Sequence, residues 1–206
     1  MSEVKRLVLL RHGQTTWNLE ARFQGHTDIP LDEAGLAQAG RAGRMLAALR
    51  PDAIVTSDLG RAISTAQPLA RLTGLVTSID KDLRERSGGL WEGLTDEEIR
   101  TRYPSEFKTW DPPEGESKQA VADRVAVALR RAADALPPGG LAVVVSHGAA
   151  LRFGAEELLG IPVSAGGLLG PLSNCSWSVM QLRRERWRLL EHNAGTLPEP
   201  VIGDDR

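Results

Sequence analysis

Two arginines and two histidines stand in this chain at places where chemistry is usually done. Arg11 and His12 end the apolar run Leu7-Val8-Leu9-Leu10 and are followed by Gly13. Arg61 comes shortly after Ala53-Ile54-Val55-Thr56-Ser57, and His147 closes Leu141-Ala142-Val143-Val144-Val145-Ser146. A guanidinium is a fork of donors that suits phosphate or carboxylate oxygens. An imidazole beside it can serve as base, ligand or nucleophile. Like charges gathered in one crevice repel unless an anion neutralises them. A phosphoryl group, with its charge spread over several oxygens, is the natural occupant.

Other chemistries are less well supported. His12, His26, His147 and His192 show no local metal-ligand spacing, and two arginines would repel a cation, so no metal and no cofactor is expected. No Gly-x-Ser-x-Gly elbow is present to support a Ser-His-Asp triad. His26 reads as a loop histidine, His192 as a strand-end histidine and Cys175 as a small packing residue. With 206 residues and a formal net charge of −2, nothing global favours nucleic acid or an anionic membrane as partner. One cysteine gives no disulfide framework, and no apolar run is long enough to span a bilayer. A cytoplasmic location is the expectation. A small phosphorylated molecule is the expected partner, and a homodimer is held open as the assembly.

The elements that must position these residues follow from the patterning. Short continuous apolar runs fit strands buried on both faces, and Gly13 is expected to let the chain turn sharply. Asp32 caps a helix to about Leu49 with Leu36, Ala39, Gly43 and Leu46 at helical spacing. The opening of the helix near Arg61 would add free N–H groups at the second strand's end. Ser117 caps a long helix with Val121, Val125, Leu129, Ala132 and Leu136 on one face, and an apolar helix runs from Ala149 to Leu159. Trp177–Leu182 and Trp187–Glu191 read as an antiparallel hairpin or meander. The segment 86–116, with Trp91, Tyr103, Phe107 and Trp110, reads as a partly helical cap whose aromatics pack it. Strands alternating with helices imply a parallel arrangement, which brings Arg11-His12, Arg61 and His147 to one edge. The expected architecture is an α/β three-layer sandwich: a mainly parallel sheet with an antiparallel strand, helices on both faces and a short cap. One domain is expected over 1–197, with a frayed tail at 198–206.

Arg11-His12-Gly13-Gln14-Thr15-Thr16-Trp17-Asn18 closely resembles the signature of the histidine phosphatase superfamily, the phosphoglycerate mutase-like family. Gln24-Gly25, Ser57-Asp58-Leu59, Arg61-Ala62, Leu83-Arg84-Glu85, Trp91-Glu92-Gly93, Gly115-Glu116-Ser117 and Val145-Ser146-His147-Gly148 follow in the family's order. The resemblance implies that His12 is the nucleophile and that Arg11, Arg61 and a protonated His147 hold the phosphoryl oxygens. It implies that Glu85, kept protonated, is the acid–base group, and that Asn18, Gln24 and the Gly148 N–H contact substrate. A metal-independent phosphomonoesterase working through a phosphohistidine is therefore expected. Mutases of the family carry Glu-Arg-x-Tyr-Gly, whereas this chain has Glu85-Arg86-Ser87-Gly88 and a short cap, which favours phosphatase over mutase. A phosphate-binding module without turnover is the reading from another class; the presence of all the matching positions disfavours it. Asn174-Cys175-Ser176-Trp177 and the cap are similar to members acting on glucosyl-3-phosphoglycerate.

Overall fold

The computed structural model describes residues 4–165 and 167–195. The three apolar runs become β1 (Lys5–Arg11), β2 (Ala53–Thr56) and β4 (Leu141–Ser146), with β3 (Thr77–Ile79) between the last two in the chain. β5 (Trp177–Arg183) and β6 (Arg186–Ala194) form the hairpin. Arg184 and Glu185 join its strands, both at positive φ, as a type I′ hairpin turn requires. All six strands lie in one sheet of order β3-β2-β4-β1-β5-β6. β3, β2, β4 and β1 pair in parallel, and β5 runs antiparallel to β1.

The register sets the strand ends level. Leu10 lies opposite Val145, and Val145 lies opposite Thr56. His12, His147 and Ser57 therefore come off the same edge of three neighbouring strands. Alternation along β1 then divides the core. Val8 and Leu10 face α2 (Glu33–Ala47) and α3 (Gly60–Thr73), while Leu7 and Leu9 face α6 (Lys118–Asp134) and α7 (Gly148–Leu158). Central strands covered on both faces must be apolar throughout, and every residue of β4 is buried.

Caps fall where expected: Asp32 Oδ1 accepts from Gly35 N at 2.7 Å and Ser117 Oγ from Ala120 N at 3.1 Å. Within α2 the buried face is made by Gly35, Gln38, Ala39, Ala42, Gly43 and Leu46. Leu36, expected on that face, points to solvent at 55% exposure. The sheet side of α2 is built from small residues, and Leu36 lies one position off it. A turn of helix at α1 (Thr16–Leu19) was not expected; Thr15 and Asn18 close it as a reciprocal capping box.

The cap contains two short helices, α4 (Asp96–Arg102) and α5 (Pro104–Thr109). Phe23, Trp91, Ile99 and Trp110 form its own small core, with Trp91 and Trp110 edge to face at 5.0 Å between centroids. The aromatics thus pack the cap, as expected. Among the described residues no helix is long and apolar enough to cross a membrane. The tail at 198–206 lies outside the described residues.

Candidate active site

His12 sits one residue past β1 and is buried. Its main-chain N donates to Ser146 O at 2.9 Å, and its carbonyl accepts from Cys175 N at 3.2 Å and Asn174 Nδ2 at 3.1 Å. Its Nδ1 lies 2.7 Å from Gly13 O. A carbonyl oxygen can only accept, so Nδ1 carries the hydrogen and the lone pair of the neutral ring is on Nε2. Burial, then Arg61 and Arg11, hold the imidazole pKa well below its ordinary value. The ring is therefore neutral in the free protein at neutral pH, which is the nucleophilic form.

Gly13 is required here for a reason other than the expected turn. A Cβ at Gly13 would lie 2.6 Å from Gly35 O, and one at Gly35 would lie 2.1 Å from Gln14 O. The two glycines let the tip of β1 pass against the start of α2. The Gly13 N–H donates to Thr65 Oγ1 at 3.0 Å, and that hydroxyl donates to Arg61 O at 2.8 Å. One threonine on α3 thus ties the histidine's strand to the arginine's helix.

Arg61 is fully buried. Its Nη1 and Nη2 donate to Thr27 O at 2.8 Å and Gly25 O at 2.7 Å, and its Nε donates to His147 Nδ1 at 3.2 Å. The carbonyl seats belong to a loop that Glu92 gathers. Its carboxylate accepts from His26 N, Thr27 N, Thr27 Oγ1 and Gly88 N. At the opening of α3, where free donors are expected, Gly60 N already donates to Asp28 Oδ2 at 2.7 Å. Arg11 donates from Nη1 to Leu172 O at 2.5 Å and is likewise buried.

His147 precedes α7, and its ring lies 5.2 Å from that of His12. Because Nδ1 accepts from Arg61, the neutral ring holds its hydrogen on Nε2, 2.9 Å from Ser57 Oγ. Burial, then Arg61 and His12, push its pKa well below the usual value. In the free protein the His147 ring is therefore neutral at neutral pH. Beside the buried guanidinium of Arg61, a further positive charge on this ring is unfavourable.

Glu85 is buried, and its carboxyl rests on the start of α7. Oε1 accepts from Arg86 N at 2.8 Å and Ala150 N at 2.9 Å, and Oε2 accepts from Ala149 N at 3.2 Å. The Gly148 N–H makes no hydrogen bond among the described residues. Asn18 is buried too: its Oδ1 accepts from Thr15 N and Thr15 Oγ1, and its Nδ2 has no partner among the described residues. A buried unpaired donor costs about 1–3 kcal/mol unless a ligand supplies an acceptor. Gln24, also buried, places Oε1 3.1 Å from Thr15 Oγ1 and shares that hydroxyl's single hydrogen with Asn18 Oδ1.

His26, expected to be an ordinary loop histidine, instead reaches the site. Its Nε2 donates to Glu85 O at 2.9 Å and stands 3.8 Å from the Glu116 carboxylate. His192 bonds Ser178 Oγ within the hairpin and Gly170 O. Cys175 is buried with its thiol pKa pushed up to about 12 by burial, which fits a packing residue. No three His, Cys, Asp or Glu side chains gather as metal ligands among the described residues.

A level edge of parallel strands carrying two buried arginines, two neutral imidazoles and a carboxyl group defines a phosphoryl-transfer site of the α/β class. The chain belongs to the histidine phosphatase superfamily, branch 1, whose family model matches residues 7–195. It is 37% identical to the glucosyl-3-phosphoglycerate phosphatase of Mycobacterium tuberculosis strain H37Rv, over 92% of this chain and 95% of that protein. It is 39% identical to a probable phosphoglycerate mutase of Cronobacter sakazakii, covering 88% of this chain and 87% of that one. A mycobacterial glucosyl-3-phosphoglycerate phosphatase solved with VO3 superimposes with a TM-score of 0.87 at 38% identity, covering 92% of this chain and 99% of that one. The protein is a phosphatase of the phosphohistidine type.

Proposed function

We propose that this phosphatase hydrolyses a phosphoglycerate-type monoester of a small metabolite, with glucosyl-3-phosphoglycerate as the first candidate, and that the residues act as follows. His12 Nε2 attacks phosphorus, the ester P–O bond breaks, and Glu85 gives its proton to the departing alkoxide. Water then attacks the phosphohistidine while Glu85 takes back a proton. The P–N bond breaks, and inorganic phosphate leaves with the His12 lone pair restored. Arg11 and Arg61 stabilise charge on the equatorial oxygens, with Asn18 Nδ2, the Gln24 amide and Gly148 N–H as further donors. His147 enters neutral; an incoming dianion supplies the opposite charge that lets it take a proton.

The observation that carries this reading is the fixed tautomer of His12, buried between two arginines with Nδ1 tied to Gly13 O. The substrate class is supported by the relatives named above. The single, buried thiol is in keeping with a reducing, cytoplasmic setting.

The experiment is a phosphate-release screen over glucosyl-3-phosphoglycerate, 3-phosphoglycerate, α-ribazole phosphate and common sugar phosphates, ranked by kcat/KM. Glucosyl-3-phosphoglycerate should rank first, and His12→Ala should abolish release while remaining folded. Positional transfer of phosphate between phosphoglycerates without release would establish the mutase reading instead. Full activity in a folded His12→Ala variant would remove the nucleophile assignment.

A further inference from the structure

The segment that presents Glu85 has little regular structure to hold it. One turn of 3-10 helix (Lys81–Leu83) precedes it and the next turn begins at Gly89. A group that must hand over a proton has to be placed to within a fraction of an ångström. The hold comes from α6. Arg124 Nη1 donates to Asp82 O at 2.8 Å and to Arg84 O at 2.7 Å, and Nη2 donates to Glu85 O at 2.8 Å. Nε and Nη2 also grip the Glu116 carboxylate at 2.8 and 2.7 Å. These bonds use all five donors of a guanidinium. Glu116 Oε2 in turn accepts from Ser87 N at 2.9 Å, just beyond the acid.

We propose that Arg124 is the positioning residue for Glu85, acting on its main chain while α7 holds its carboxyl group. The inference rests on the assignment of Glu85 as the acid–base group. The two anchors have different jobs. The N–H groups of Ala149 and Ala150 fix the direction of the carboxyl, and Arg124, with His26 on the same carbonyl, fixes how far it reaches toward the ester oxygen. Lysine cannot substitute: it is a point charge with three donors, whereas three carbonyls and both oxygens of a carboxylate are met here by one planar fork.

The test compares the preferred alkyl phosphate with p-nitrophenyl phosphate in wild type, Arg124→Gln, Arg124→Lys, Glu85→Gln and Glu85→Gln/Arg124→Gln, with folding followed by circular dichroism. Protonation matters for an alkoxide and little for a nitrophenolate. Both Arg124 variants should lower kcat on the alkyl ester by about 10–100-fold, the scale of a small misplacement of a reacting group. KM and the nitrophenolate burst rate should each change by less than about 3-fold, and so should the further loss when Arg124→Gln is added to Glu85→Gln, because residues acting through one group are not additive. Equal losses on both esters, or a full extra loss in the Glu85→Gln background, overturns the positioning role. If Glu85→Gln itself shows no contrast between leaving groups, the acid assignment fails first and this inference with it. If Arg124→Gln does not fold, Arg124→Lys, which keeps the charge against Glu116, carries the comparison. Failure of both to fold assigns Arg124 to the fold instead.

Discussion

His12 and His147 share one buried space with Arg11 and Arg61, and the consequence can be read from outside the site. Both rings have folded-state pKa values well below the ordinary histidine value, chiefly through burial, with Arg61 the next cause in each case. In the unfolded chain they titrate near 6.5. Below that pH the unfolded chain takes up protons that the folded protein refuses. The contribution of this pair to stability should therefore be level above pH 6.5 and fall as pH drops below it, until the depressed folded values are reached. Each refused proton costs about 1.4 kcal/mol per pH unit. Urea unfolding at pH 7.5, 6.5 and 5.5 measures this, and His147→Gln should flatten the decline. A wild-type midpoint unchanged from pH 7.5 to 5.5 would contradict the buried neutral pair. The acid limb of kcat/KM should accordingly lie below pH 6.5, since neutral His12 is the proposed nucleophile.

Among the elements, α3 does more than cover the sheet. Through Thr65 Oγ1 it accepts the Gly13 N–H, and it presents Arg61 one turn earlier. Gly13 is also the residue whose carbonyl fixes the His12 tautomer. Thr65→Val keeps the shape and removes the hydroxyl. It should cost about 1–3 kcal/mol, the price of a buried unpaired N–H. It should also lower kcat, since the residue that orients the proposed nucleophile loses its tie. Chemical denaturation and steady-state kinetics on one preparation decide it; unchanged values of both would mean that the β1 tip is held by its glycine packing alone. Glu92 plays the matching part for the loop under Arg61, gathering four donors on one carboxylate.

At the scale of the whole molecule, strand order does the assembling. β4 lies between β1 and β2, although it follows both in the chain by many residues. That crossover places His147 between His12 and the Ser57–Arg61 segment. Two arginines then supply at one edge the charge that a divalent ion would bring. Activity should survive a strong chelator, and vanadate should inhibit by mimicking the transferring phosphoryl group. Activity lost in chelator and restored by a single divalent ion would overturn this account.

Much of this was legible in the residues themselves. Apolar runs ending in Arg11-His12, in Ser57 and in Ser146-His147 state their own burial and their own termination, because a strand covered on both faces has no polar alternative. Asp32 and Ser117 announce their helices by local hydrogen bonding, which needs no tertiary partner. The resemblance of the motifs suggested the proposed roles of His12, Glu85, Asn18 and Gln24, which spacing alone could not. Other features depended on groups far apart in sequence meeting in space. Gly13 looks like a turn residue until Gly35 is placed against it, and His26 looks idle until Glu85 O is beside it. Leu36 fits a helical period, yet the sheet lies along the neighbouring stripe of small residues. His147 is held well below its ordinary pKa because burial of the strand ends and the neighbouring guanidiniums, Arg61 first, act on it together. Arg124 is one arginine among many in the sequence; its five bonds to residues 82–85 and Glu116 exist only once α6 packs beside the loop of Glu85. Local chemistry could be read from the chain, whereas protonation and orientation were decided by distance and burial, which only the folded structure supplies.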